Sequence, residues 1–141
     1  AASANGPQLV VAPETALPLL PEQLGPDFWR GLFGPLAEQN ASQPAALLTG
    51  LPLGNLEAGY TNSAWGVSPE AARSALASGQ PTQVHRYDKH HLVPFGEFVP
   101  PFFRWFTQMM NIPLGDFARG ALPQPSWAWA GQRIAPNICY E

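Results

Sequence analysis

The stretch Gln8-Leu-Val-Val-Ala-Pro-Glu-Thr-Ala-Leu-Pro18 gives the strongest indication of the fold. Its first five residues form a short apolar run that contains β-branched side chains, which predicts a buried strand ended by Pro13. Glu14 follows directly, and ligands of α/β sheets bind at the carboxyl ends of strands. Glu14 is therefore a candidate catalytic carboxylate, although a helix cap or a solvated loop charge is the commoner role at such a position.

Further strands and helices are predicted on the C-terminal side of this stretch. Short apolar runs predict a buried strand over residues 45–49, ended by the segment 50–54, and strands over 60–67, 83–87 and 127–129. Near-helical apolar spacing predicts a helix within residues 21–40, and a second helix is predicted from residue 102 to 110. Residues 68–79 are small and polar and predict a surface turn, and residues 115–125 predict a loop. This order predicts an α/β fold whose sheet is covered on at least one face.

Composition and charge exclude several classes of function. The chain has 141 residues, the length of about one domain. Seven basic and ten acidic residues give a net charge of −3, and no Lys/Arg cluster occurs. The chain therefore lacks the basic patch that binding to nucleic acid or to an anionic membrane would need. Aromatic residues make up 11% of the chain and include five Trp, which argues against disorder.

A second notable segment is Tyr87-Asp-Lys-His-His-Leu-Val-Pro-Phe-Gly-Glu-Phe-Val-Pro100. It contains the only lysine of the chain, Lys89, at the end of a predicted strand and before a loop rich in Pro and Gly. A lysine cation in such a place can stabilise a developing oxyanion. The alternative is a structural ion pair of Lys89 with Asp88 or Glu97.

The histidines and the cysteine do not predict a metal site. His85, His90 and His91 are spaced so that no helix or strand would present all three on one face. Cys139 is the single cysteine, so neither an internal disulfide nor a Cys-based zinc site can form. We therefore expect no metal and no cofactor.

The third segment is Pro136-Asn-Ile-Cys-Tyr-Glu141. A cysteine that follows an apolar run is either a nucleophile on a tight turn or an inert residue of the core. Position alone leaves both interpretations of Cys139 open, and free cysteines are more often buried.

Taken together, the three segments resemble the nitrilase (carbon–nitrogen hydrolase) superfamily, whose sites use a Glu, a Lys and a Cys in that chain order. Within this superfamily they are most similar to the apolipoprotein N-acyltransferase family. The Leu-Val-Pro-Phe-Gly-Glu block and the Cys-Tyr-Glu ending distinguish that family from ordinary nitrilases. The matching motifs are Pro13-Glu-Thr-Ala16, Tyr87-x-Lys89-x-x-Leu92-Val-Pro-Phe-Gly-Glu97-x-Val-Pro100, Phe117-x-Arg-Gly120 and Ile138-Cys-Tyr-Glu141.

The resemblance implies a fold and a location. It implies a nitrilase-type α-β-β-α sandwich, of which residues 1–141 form one partial catalytic domain, truncated at both ends. It also implies a transmembrane bundle elsewhere in the parent chain. The parent would lie in the bacterial inner membrane, with this domain facing the periplasm.

The resemblance also implies an activity. A fatty acyl chain would pass from a phospholipid, through a thioester on Cys139, to the amino-terminal amine of a diacylglyceryl-cysteine lipoprotein. Glu14 would be the general base, and Lys89 with the backbone N–H of Tyr140 would bind the oxyanion. Glu97, Tyr140 and Glu141 would support these three catalytic residues.

Two alternatives to this activity remain open. The first is a nitrilase-like amidase that hydrolyses a C–N bond by passing its thioester to water. The second is a non-catalytic remnant, for which we expect a buried, inert Cys139 and a Lys89 that points to solvent.

Overall fold

The computed structural model describes residues 8–39, 44–94, 96–98, 101 and 116–141. This part of the chain contains helices and a mixed sheet, so the α/β class is confirmed. In chain order the elements are β1 (Gln8–Val11), a 3₁₀ turn (Pro21–Gln23), α1 (Pro26–Ala37), β2 (Ala45–Asn55), β3 (Gly59–Val67), α2 (Pro69–Ser78), β4 (His85–Asp88), β5 (Trp127–Trp129) and β6 (Gln132–Ile134).

Four strands form one mixed sheet in the order β1-β2-β3-β4, and β5 and β6 form a separate antiparallel hairpin. β1 pairs with β2 in parallel, whereas β3 is antiparallel to both β2 and β4. β4 therefore runs in the same direction as β1. The segments that follow β1 and β4, which begin the Glu14 and Lys89 loops, therefore leave the sheet at the same end of the strands.

The core lies between one face of this sheet and the two helices. Trp29 and Phe33 of α1 and Ala72 of α2 pack with Leu51 and Trp65 of the sheet in one buried cluster. Large aromatic side chains contribute most of the buried area in such a cluster. The helices thus cover one face, as the sequence predicts.

The surface turn predicted over residues 68–79 is wrong, because this segment contains α2. The Ser68 hydroxyl accepts a hydrogen bond from the Ala71 N–H and caps the helix, and Pro69 occupies its first turn. Gly79 ends it in a left-handed conformation. Ala71 and Ala75 are small enough to pack closely on the core. They let α2 bury one face although the helix has few large apolar side chains.

Two expectations about the strands are corrected. β2 does not end at residues 50–54 but continues to Asn55, because β3 pairs with it as far as that residue. β1 is not buried, since it lies at the edge of the sheet with Val10 53% and Val11 64% exposed. The strands expected over 60–67, 83–87 and 127–129 are confirmed, with β4 beginning at His85 and ending at Asp88.

The helix expected within residues 21–40 is present as α1, which continues through Pro35. The helix expected over residues 102–110 lies outside the described residues. Residues 116–125 form no helix or strand, in agreement with the predicted loop. In the described part of the chain, no helix is both long enough and apolar enough to cross a membrane.

Candidate active site

Glu14 lies on the loop that follows β1 and packs against the middle of β2. The N–H of Leu17 donates to the carbonyl of Gly50 at 3.0 Å, which fixes the loop on the strand. A side-chain carbon on Gly50 would lie 2.6 Å from the nitrogen of Thr15 and 2.9 Å from the Cα of Glu14. Glycine is therefore needed at position 50 for this close approach. The Glu14 side chain remains 36% exposed.

Lys89 follows the last residue of β4 and is held by its backbone on both sides. Its N–H donates to the carbonyl of Asn62 at 2.8 Å, and its carbonyl accepts from the N–H of Gly120 at 2.9 Å. A side-chain carbon on Gly120 would collide with the carbonyl oxygen of Asp88, so only glycine fits there. The Lys89 side chain is 1% exposed. The solvent-facing lysine expected for a non-catalytic remnant is thus contradicted.

The buried ammonium of Lys89 lies between two carboxylates. Its Nζ is 2.9 Å and 3.1 Å from the two carboxylate oxygens of Glu97, and 3.7 Å from Oε1 of Glu14. The ion pair with Glu97 is therefore present, together with a looser one to Glu14. Asp88 takes no part, because its carboxylate pairs with Arg86 instead.

Glu97 is the ionised partner of Lys89. Burial by itself raises the pKa of the Glu97 carboxyl, but hydrogen bonds from the Val93 N–H, Lys89 and Asn62 outweigh it and lower the pKa below the ordinary value. Glu97 is consequently a carboxylate at neutral pH. It supplies the negative charge that lets a lysine be buried here.

Asn62, on β3, is a site residue that the sequence analysis missed. Its Nδ2 donates to Oε1 of Glu14 at 2.6 Å and to Oε1 of Glu97 at 2.9 Å, and the residue is buried. The available signal was a run of polar residues, 61–63, within a predicted strand. That run does not by itself say which side chain faces the site.

The neighbours of Asn62 on β3 support β4 instead. The hydroxyls of Thr61 and Ser63 lie 3.2 Å and 2.6 Å from Oδ1 of Asp88 and donate to it. The side chain of Gln124 donates to the carbonyl of Asp88 and accepts from its N–H, as a neighbouring strand would. These contacts fix the residue before Lys89, so they fix the direction in which the lysine leaves the sheet.

Glu141 attaches the cysteine-bearing segment to the segment that follows β4. Its Oε1 accepts hydrogen bonds from the N–H groups of His90 at 2.9 Å and His91 at 3.2 Å. Its Oε2 accepts from the hydroxyl of Tyr87 at 2.8 Å and from the N–H of Ile138 at 3.0 Å. One carboxylate thus joins residues on both sides of Lys89 to a residue beside Cys139.

The charges of Glu141 and Tyr87 are coupled. Burial raises the pKa of the Tyr87 hydroxyl, and the hydrogen bond and negative charge of Glu141 raise it further, to about 12. Burial also raises the pKa of Glu141, but the hydrogen bonds from Ile138, Tyr87, His90 and His91 outweigh it and lower the pKa. At neutral pH Tyr87 is therefore a neutral donor and Glu141 a charged acceptor.

Cys139 is exposed, so the burial expected for a non-catalytic remnant is contradicted. The chain bends at Cys139, and the next residue, Tyr140, has a φ of 70° in the left-handed region; we call residues 138–141 the Cys139 turn. Within the described ranges, Cys139 makes no hydrogen bond to Glu14 or Lys89. The structure thus brings Glu14, Lys89 and Glu97 into contact, and it ties the Cys139 turn to the same loop through Glu141.

The three histidines have other partners. His85 stacks on Trp127, and a ring nitrogen of His90 lies 2.6 Å from the carbonyl of Gly120. The ring of His91 lies 5.5 Å from that of Tyr140. Over residues 8–39, 44–94, 96–98, 101 and 116–141, no group of three or more potential ligands could hold a metal ion.

Comparison with known proteins identifies relatives for almost the whole chain. It is 60% identical over 134 residues to a protein of Verminephrobacter eiseniae, a match covering 95% of the chain and 23% of that relative. It is 47% identical to a protein of Ralstonia nicotianae over 134 residues, and 46% identical to one of Bordetella bronchiseptica over 140 residues. These matches cover 95% and 96% of the chain, and 23% and 24% of the respective relatives.

All three relatives bear the name apolipoprotein N-acyltransferase. No protein-family model matches the chain. The chain spans about a quarter of the length of these curated relatives. With identities of up to 60% over 95% of its residues, the chain is a homologue of about a quarter of the length of the proteins named apolipoprotein N-acyltransferase.

Proposed function

We propose that the complete protein carrying this chain transfers a fatty acyl group from a phospholipid to the amino-terminal amine of diacylglyceryl-cysteine lipoproteins. The observation that carries the proposal is the buried Lys89, held between the carboxylates of Glu14 and Glu97 at the carboxyl ends of β1 and β4. A buried cation between two acids, tied by Glu141 to an exposed Cys139, is suited to acyl transfer through a thioester. The names of the relatives supply the substrate class.

The first step forms the thioester. The sulfur of Cys139 attacks the ester carbonyl of a phospholipid acyl chain while Glu14 accepts the thiol proton. The C–O bond then breaks, and the lysophospholipid leaves as an alcohol that takes the proton back from Glu14. The acyl group remains on sulfur, and Glu14 is again a carboxylate.

The negative charge that develops on the carbonyl oxygen needs donors. Lys89 and the backbone N–H of Tyr140 are the donors we assign to it. The positive φ of Tyr140 is typical of a turn that presents such a group. Because Glu97 already neutralises Lys89 in the resting site, the lysine is fixed before the reaction begins.

The second step consumes the thioester. The α-amine of the lipoprotein cysteine attacks the carbonyl carbon, an amide bond forms and the C–S bond breaks. Glu14 takes the proton that the amine loses and returns it to the sulfur of Cys139. A thioester retains enough free energy to acylate an amine, so no cofactor is required.

We also propose that this chain is part of a nitrilase-type α-β-β-α domain on the periplasmic side of the bacterial inner membrane. The α/β class and the placement of Glu14, Lys89 and Cys139 on loops support the domain assignment. The homology to proteins named apolipoprotein N-acyltransferase supports the location.

The test uses the complete protein mixed with phospholipid vesicles and intact-protein mass spectrometry. We expect a mass gain of one acyl chain that hydroxylamine removes and that Cys139→Ala prevents. Adding a peptide with an amino-terminal diacylglyceryl-cysteine should discharge the adduct and leave an N-acylated peptide. Absence of an adduct on the folded protein, with ammonia released from small amides, would instead establish an amidase.

A further inference from the structure

We propose that Asn62 is a positioning residue that holds Glu14 in the orientation needed to accept the proton of Cys139. This inference rests on the proposed function, in which Glu14 is the general base. It is carried by one contact pattern, because a single amide nitrogen donates to both Glu14 and Glu97.

The orientation of the Asn62 amide is fixed by its partners. The Oε1 atoms of Glu14 and Glu97 lie 2.6 Å and 2.9 Å from the same nitrogen, and carboxylate oxygens accept hydrogen bonds but do not donate them. A flipped amide would turn its oxygen toward two negative charges. In the described part of the protein, the buried Oδ1 has no partner, so the two donated bonds alone set the position of the amide.

The two carboxylate oxygens of Glu14 differ in their contacts. Oε1 accepts from Asn62 and lies 3.7 Å from the ammonium of Lys89. Oε2 accepts no hydrogen bond from the residues that the structure describes. The amide therefore occupies one oxygen of Glu14 and leaves the other available for a thiol proton.

Asn62 also keeps Glu14 separate from Lys89. The charged groups that face this amide are Glu14 from the loop after β1, and Lys89 and Glu97 from the segment after β4. Without the amide, attraction to Lys89 would draw Glu14 into the same close pairing that Glu97 makes. A carboxylate paired in that way is a weaker proton acceptor for Cys139.

The experiment measures alkylation of Cys139 by iodoacetamide between pH 5 and pH 9 in the complete protein, quantified on the Cys139 peptide. We expect Asn62→Ala and the similarly shaped Asn62→Leu to react about 10 to 100 times more slowly near neutral pH, the range for losing hydrogen bonds to a charged group. The acidic limb of the pH–rate profile should also move to higher pH. Asn62→Leu added to Glu14→Gln should cause no further loss, because both act through the same carboxylate.

The matched control is Asn55→Ala. Asn55 also makes two hydrogen bonds through its side chain, to the N–H groups of Glu57 and Ala58, in the turn of the same hairpin. It touches no residue of the site, so Cys139 should react as in the unaltered protein.

Alkylation needs no phospholipid, so the test stands even if phospholipid proves not to be the acyl donor. The proposal is overturned if folded Asn62→Ala or Asn62→Leu reacts as fast as the unaltered protein with an unchanged pH profile. It is also overturned if Asn55→Ala slows the reaction equally, since that would show a loss of general stability.

Discussion

Lys89 pairs with both oxygens of Glu97, at 2.9 Å and 3.1 Å, but reaches only one oxygen of Glu14, at 3.7 Å. The two carboxylates are therefore not equivalent. Glu97 is mostly buried and neutralises the lysine, whereas Glu14 is more exposed and keeps one oxygen free of protein donors in the described residues. This asymmetry is the basis for assigning the counter-ion role to Glu97 and the base role to Glu14.

The first prediction separates charge balance from catalysis at Lys89. Lys89→Met should reduce thioester formation by about 10²–10³-fold, the usual effect of losing one oxyanion donor. It should also lower the free energy of unfolding by about 3–5 kcal/mol, because Glu97 is left as an uncompensated buried charge. Adding Glu97→Gln should restore much of the stability and none of the rate, as measured by denaturation and acyl-adduct kinetics.

Its control is the exposed pair of Arg30 and Asp27, whose side chains are largely in solvent. Arg30→Met should change stability by less than about 1 kcal/mol and leave the rate unaltered. Restoration of activity by Glu97→Gln in the Lys89→Met protein would show that Lys89 serves only to balance charge.

The second prediction concerns Gly50, which packs against the backbone of the Glu14 loop. Gly50→Ala places a methyl group 2.6 Å from the nitrogen of Thr15, so the loop must move away from β2. We expect slower acylation of Cys139 and a stability loss of about 1–3 kcal/mol, the usual cost of overpacking.

Gly34→Ala is the matched control, since its new methyl group meets no atom within 4 Å. It should stabilise the protein by about 0.4–1 kcal/mol. Equal rates in both variants would contradict the role given to Gly50.

The third prediction tests whether Glu141 holds the Cys139 turn against the segment that contains His90 and His91. Glu141→Gln replaces an acceptor oxygen by an amide that faces donors, so the N–H groups of His90 and His91 should exchange hydrogen faster. Tyr87→Phe removes only one of the four bonds and should have the smaller effect. Hydrogen exchange followed by mass spectrometry checks both variants. Unchanged protection of His90 and His91 in Glu141→Gln would remove Glu141 from this role.

The fourth prediction is that the stability of the folded protein depends on pH in acid, through Glu141, and in alkali, through Tyr87. The pKa of Glu141 is lowered by folding, so its stabilising effect is present above the ordinary value of 4.5 and is lost as pH falls through the lowered pKa. The pKa of Tyr87 is raised to about 12, so its effect is present below the ordinary value of 10 and is lost as pH rises toward 12.

Thermal unfolding and ultraviolet titration check this dependence. The Tm difference between the unaltered protein and Glu141→Gln should shrink as pH falls below 4.5. In Glu141→Gln, Tyr87 should titrate at lower pH than in the unaltered protein but still above 10, because burial remains. A Tm difference that persists in acid would show that the charge of Glu141 is not what stabilises the turn.

Short-range patterns account for what the sequence analysis predicted correctly. The apolar run before Pro13 predicted that Glu14 follows a strand, and the run over residues 83–87 predicted that Lys89 follows another. Neither inference needed knowledge of which strands pair. Family resemblance joined these residues to Cys139, which spacing alone did not do.

Long-range packing explains what the sequence analysis did not predict. Asn62 acts on residues 48 and 35 positions away, and no local pattern indicates such contacts. The small residues of α2 predict a surface turn, because no local pattern shows the core that they cover. The exposure of β1 depends on its place at the sheet edge, which the apolar run does not reveal.

The most direct test of the account compares the unaltered complete protein with Glu14→Gln during incubation with phospholipid vesicles. The quantity measured is the rate at which the Cys139 peptide gains a hydroxylamine-sensitive acyl mass. Gln keeps the shape of Glu14 but accepts no proton at neutral pH, so we expect acylation about 10²–10⁴-fold slower, the usual contribution of a general base. Acylation of Cys139 at the same rate in both proteins would contradict the central claim that Glu14 activates the nucleophile.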